Sequence, residues 1–133
     1  MPTQIFVNLP VKDLERSKNF FTALGYSFNS QFTDENAACL VISDNIYAML
    51  LVEPFFKSFT QKEITDTSHS TEAILALGVD SREQVDELAD KAMAAGAGKY
   101  NDPSDQGFMY SRSFQDPDGH LWEVLYMDPA HVQ

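Results

Sequence analysis

The chain has 133 residues, nine Lys+Arg against twenty Asp+Glu, and a formal net charge of −11. That length suits one compact domain with a substantial core, and 44% hydrophobic residues exclude a disordered tail. So few basic residues exclude a phosphate-neutralising surface, so neither nucleic acid nor membrane is expected as a partner.

No apolar run approaches the ~18–20 residues of a membrane span, and the N-terminal residues lack a secretion-signal pattern. The single Cys39, set in an apolar run, forbids an intrachain disulfide and reads as a small buried hydrophobe. Together these predict a cytoplasmic protein.

Ile5, Val7, Leu9 and Val11 alternate with Gln4, Phe6, Asn8 and Pro10, a period of two that predicts a strand. Asp13 then suits the N-cap of a helix from Leu14 to Leu24, with Phe20, Phe21 and Leu24 at helical spacing and Gly25 as its stop. Three strands are expected next, over Tyr26 to Phe32, Ala37 to Ile42 and Ile46 to Val52, parted by polar turns. The stretch 54–71 reads as a connector in which Phe55, Phe56 and Phe59 share one helical turn.

The pattern then restarts. Ala73, Leu75, Leu77 and Val79 alternate with Glu72, Ile74, Ala76 and Gly78, a second strand of that kind. Ser81 and Gln84 form a capping box before a helix whose stripe is Val85, Leu88, Ala92 and Ala95. Strands over Lys99 to Asn101, Phe108 to Phe114 and Leu121 to Met127 complete a second βαβββ series. The reading is therefore α+β: one domain over 1–133 made of two βαβββ modules, about 1–53 and 72–129, forming curved mixed sheets around a cleft.

Two such modules, an opening motif Val11-Lys12-Asp13-Leu14-Glu15-Arg16-Ser17-Lys18-Asn19-Phe20-Phe21 and a closing motif Phe114-Gln115-Asp116-Pro117-Asp118-Gly119-His120-Leu121-Trp122-Glu123-Val124 resemble the vicinal oxygen chelate superfamily. This superfamily includes glyoxalase I, extradiol dioxygenases and bleomycin-resistance proteins. The Asp-Pro-Asp-Gly segment also has a plain reading as a hairpin turn.

The resemblance implies a small-molecule ligand in an inter-module cleft, a homodimer, and a divalent metal acting as a Lewis acid. Its spacing puts the metal-ligand positions at Phe6, Ala48, Ile74 and Glu123. Only Glu123 is a competent ligand, because Phe, Ala and Ile cannot coordinate a cation. Asn8 and Glu72, at strand parity with Phe6 and Ile74, offer with Glu123 an alternative oxygen set for Mg²⁺ or Ca²⁺. The metal-free reading is preferred, since an oxygen site needs more ligands.

Two functions follow from different classes: a small-molecule binder with a degenerate metal site, or a glyoxalase- or dioxygenase-like enzyme with Glu123 as its catalytic group. Arg112 either meets an anionic ligand or forms a surface salt bridge. His120 in the final turn is expected to face solvent, and neither His69 nor His131 has a convergent partner. Phe6, Tyr47 and Trp122 are either ligand-stacking aromatics or core.

Overall fold

The computed structural model describes residues 3–130, so His131 lies outside the described residues. The chain divides into two compact units, one running to Thr65 and the other starting at Asp66. Each is a four-stranded mixed sheet with a helix packed on one face.

In the first unit, β1 (Ile5–Val11) leads into α1 (Leu14–Ala23). Asp13 caps that helix by accepting from the Arg16 N–H at 3.1 Å, which satisfies one of the free donors of a helix start. Gly25, at φ +102°, ends it. The chain then forms β2 (Ser27–Asn29), β3 (Ala37–Ser43) and β4 (Ile46–Val52), in sheet order β1-β4-β3-β2 with β1 parallel to β4. Leu9, Val11, Ala38, Leu40, Ala48 and Leu50 on the helix side are buried, as are Ser17, Phe20, Phe21 and Leu24 of the α1 segment.

The expected strand to Phe32 stops three residues early, and Ser30–Phe32 turns into a single 3-10 turn. Local polar groups explain the change. The Asn29 side chain accepts from the Gln31 N–H, and Thr33 Oγ1 donates to the Asn29 carbonyl while accepting from Cys39 N–H. These bonds compete with a ladder. A short helix, α2 (Glu53–Lys57), follows β4, and the Phe55 and Phe59 rings meet edge-on at 5.1 Å.

The second unit repeats the order. β5 (Ile74–Gly78), α3 (Arg82–Ala94), β6 (Ser104–Asp105), β7 (Met109–Gln115) and β8 (Leu121–Met127) build a sheet ordered β5-β8-β7-β6. The capping box forms as expected: Ser81 Oγ accepts from Gln84 N–H and the Gln84 side chain accepts from Asp80 N–H. Gly96, at φ +98°, stops α3 as Gly25 stops α1, a conformation that costs an L side chain energy.

Three expectations are corrected here. The strand placed at Lys99 to Asn101 is absent, because Lys99 pairs with Asp102 and Pro103 lacks the N–H a ladder needs; pairing begins at Ser104. Strand β5 starts at Ile74, so Glu72 lies outside the sheet. The buried stripe of α3 is Val85, Ala89 and Ala92, with Leu88 and Ala95 only half-buried.

Candidate functional site

Strand pairing decides which side chains share a face. In the first sheet Phe6 lies beside Tyr47, Asn8 beside Met49 and Val7 beside Ala48. Phe6 and Asn8 therefore share the helix-free face, where the Phe6 and Tyr47 rings stack at 4.8 Å and 10°. Ala48 takes the opposite, helix-covered face and is fully buried. The sequence count that made Ala48 the counterpart of Glu123 thus meets the opposite face, since a shift of one residue reverses which side a strand residue takes.

In the second sheet Glu123 lies between Ala76 of β5 and Ser113 of β7. Its face also carries Ile74, Leu121, Leu125, Ser111 and Gln115, with no helix over them. Arg112 and Trp122 point the other way. Trp122 is buried in the core, stacked parallel to Phe114. Arg112 is held on the α3 side by Asp86 at 3.1 Å and Asp90 at 2.8 Å. Of the two roles open to Arg112, the salt bridge is the one its geometry fulfils.

The carboxylates around Arg112 are ordered by the same contacts. Asp86 is held below the usual carboxylate range, first by the Tyr110 hydroxyl it accepts at 2.6 Å and then by Arg112. Arg82 grips Asp105 with two N–H donors at 2.9 and 3.0 Å and donates to the Gly107 carbonyl. That grip holds Asp105 down to about 2. These are structural pairs.

The turn that aims Glu123 is built around Asp116. Its nearly buried carboxylate accepts from Trp122 Nε1 at 3.0 Å, from Asp118 N–H at 2.9 Å and from His120 N–H at 3.0 Å. Burial pushes this carboxyl up, against the pull of His120 and of these donors. Gly119 closes the turn at φ +81°. Thr67 Oγ1 donates to the Asp118 carbonyl at 2.5 Å. His120 is half-buried and lies against Asp116, so it belongs to the turn and not to an open surface. His69 sits in an exposed turn. Cys39 is buried, and burial pushes its thiol up, away from nucleophilic use.

Sequence reasoning missed the neighbours of Glu123. Ser111, Ser113 and Gln115 alternate along β7 with Arg112 and Phe114, a polar row on the Glu123 face. The Ser113 hydroxyl is buried and finds no hydrogen-bond partner. Tyr100 stands nearby. Its hydroxyl donates to the Trp122 carbonyl at 3.3 Å, and its proton is held more tightly by burial first and by the Glu123 charge second, against a weaker opposite pull from the Ser113 hydroxyl, which lies beyond hydrogen-bond reach. The period-two polarity of β7 was a visible signal; its register against Glu123 was not.

A family model described as Bleomycin resistance protein-like N-terminal matches residues 3–43. A solved hypothetical protein from S. aureus is 28% identical, with 95% of this chain and 94% of that one covered at a TM-score of 0.79. A glyoxalase/bleomycin resistance protein/dioxygenase family enzyme from Burkholderia phytofirmans PsJN superposes at 0.77, with 19% identity over 92% of this chain and 96% of its own. This is the glyoxalase/bleomycin resistance/dioxygenase fold. TnmS3, an antibiotic binding protein from Streptomyces sp. CB03234, shares it at 0.68, with 17% identity over 96% of this chain and 97% of its own. Among curated proteins no relative matches the chain.

For a glyoxalase/bleomycin resistance fold, the donor set is the test of metal chemistry. Phe6, Ala48 and Ile74 supply no lone pair, and Ala48 is on the wrong face. Among the described residues no three His, Cys, Asp or Glu side chains gather into a group that could hold an ion. Glu72, the alternative oxygen donor, is not fixed to the sheet. The residues do not fit a resident metal of the superfamily's kind. No described helix is long and apolar enough to cross a membrane.

Proposed function

We propose that this chain is a small-molecule binding protein of the glyoxalase/bleomycin resistance/dioxygenase superfamily, with its binding surface on the helix-free face around Glu123. One observation carries the reading: of the ligand positions counted from the sequence that lie on helix-free faces, Phe6, Ile74 and Glu123, only Glu123 bears a carboxylate. A carboxylate alone lacks the electrophile that stabilises an enolate, so Glu123 serves recognition better than proton transfer. Ile74 and Ala76, on the same face of that sheet, are exposed and available to a ligand. The antibiotic binding protein of the same fold supports the same use of the scaffold. The reading includes one domain of two modules acting as a cytoplasmic homodimer, on the superfamily resemblance.

Elemental analysis of the purified protein, with thermal shifts in Mg²⁺, Mn²⁺, Ni²⁺ and Zn²⁺, tests this. The expected result is no stoichiometric metal and no cation-dependent stabilisation, with organic ligands raising Tm as mass action requires. A stoichiometric metal lost in Glu123→Gln would overturn it.

A further inference from the structure

We propose, resting on the binding reading above, that the helix-free face of the second sheet takes an organic cation: a protonated amine on an apolar body, its ammonium seated between Glu123 and Ser113. Two observations converge on one place. Glu123 and Ser113 are directly paired across β7 and β8, so their side chains rise from the same face. The Ser113 hydroxyl is buried with no partner within hydrogen-bond reach, the Tyr100 hydroxyl being its polar neighbour, and the half-buried Glu123 accepts no hydrogen bond from any described residue. Buried polar groups are rarely left so. An ammonium group supplies what both lack, because it brings N–H donors and a positive charge together.

The second unit itself does not supply that cation. The basic side chains of residues 66–133 are Arg82, Lys91, Lys99 and Arg112. All four are engaged, with Asp105, Glu87, Asp102 and the Asp86/Asp90 pair respectively. Arg112, the one basic group on β7, is turned to the opposite face. An anionic ligand would therefore meet a carboxylate and no counter-charge from this unit.

The wider field has the same sign. Residues 66–133 hold thirteen Asp+Glu against four Lys+Arg, a net charge of −9, whereas residues 1–65 hold seven against five, a net of −2. Such a field draws cations toward one half of the chain. Leu121 and Leu125 flank Glu123 on its own face, and Ile74 lies beside Leu121 on β5. These side chains suit the apolar body of an amine, while the small Ala76 leaves room beside the carboxylate.

The test compares three probes of one shape, benzylammonium, benzyl alcohol and benzoate, titrated into the full chain at pH 7 and followed by amide NMR shifts. Benzylammonium should move the Ser113 and Glu123 amides and bind roughly fivefold or more tightly than benzyl alcohol, with benzoate inert. Glu123→Gln should abolish that preference, and Ser113→Ala should weaken benzylammonium by about two- to fivefold. Glu83→Gln removes an exposed charge on α3 and should leave its affinity unchanged, which separates the local contact from the general field.

Equal binding of benzylammonium and benzyl alcohol at this face would overturn the cation assignment and leave the binding reading standing. An absence of benzylammonium shifts at Ser113 and Glu123 would also overturn it. A stoichiometric metal on Glu123 would overturn both.

Discussion

Replacing Asp116 by Ala should be the most damaging single change to the turn that launches β8. The carboxylate serves three donors at once: the Trp122 indole N–H, the Asp118 amide and the His120 amide. Trp122 is 1% exposed, so its N–H cannot turn to water once the acceptor is gone. An unsatisfied buried donor costs about 1–3 kcal/mol, and each half-exposed amide adds a few tenths to about 1. The relief of desolvating one carboxylate offsets part of this, leaving a net cost of roughly 2–4 kcal/mol. For a chain of this size that corresponds to a fall in Tm of about 6–15 °C.

Trp122 is the only tryptophan, so its fluorescence follows urea unfolding of the single Asp116→Ala variant, and far-UV circular dichroism follows the cycle, whose second background lacks it. Trp122→Phe deletes the donor, and in that background Asp116→Ala should cost about 1–2 kcal/mol less, a coupling of the size seen for buried contacts. A loss below about 0.5 kcal/mol in the single variant, or a cycle with no coupling, would refute the reasoning.

Gly119→Ala should cost about 1–3 kcal/mol by chemical denaturation. The residue sits at φ +81°, and a Cβ there would lie 2.6 Å from Thr67 Oγ1. Thr67→Gly in that variant should recover only the steric part, since the backbone strain remains.

Asp105 gives a pH signature with a definite sign. Arg82 holds it at about 2 against an ordinary 3.8, so the folded chain binds its proton less tightly than the unfolded one. Its stabilising contribution is therefore complete above pH ~4 and is lost as pH falls toward ~2. Asp105→Asn should flatten the fall in Tm across that window, and an unchanged slope would count against the pair.

Arg112→Met should keep the packing of its stem against α3 but lose both ion pairs. The cost should be only about 0.5–1.5 kcal/mol because Asp86 and Asp90 are largely solvated. Benzylammonium binding should be unchanged, and a large loss of affinity would return Arg112 to the ligand face.

The modules were legible because their signals are local. Alternation predicted β1 and β5, an apolar run between polar turns predicted β4, and the Asp13 and Ser81 caps formed as written. What escaped depends on long-range register. That Ala48 takes the covered face while Glu123 takes the open one follows from how β4 pairs with β1 at Val7, and no residue of either strand states that alone. The shortened β2 escaped for another reason: the Asn29 and Thr33 side chains outbid the ladder through contacts invisible to a hydrophobic pattern. At the site, Glu123 was readable from its motif, while Ser113 and Tyr100 became relevant only once β7 and β8 were paired.

The strand order shared by the two sheets also sets how each must assemble. The hairpins β3–β4 and β7–β8 join neighbours in sequence, so they close over short loops and at little entropic cost. The parallel pairs are different: Ile5 meets Ile46 and Ile74 meets Leu121, across more than forty residues each. Contacts of such separation slow folding. During synthesis β5 must therefore wait unpaired until β8 has emerged, and the surface around Glu123 is completed by the last strand of its unit to arrive.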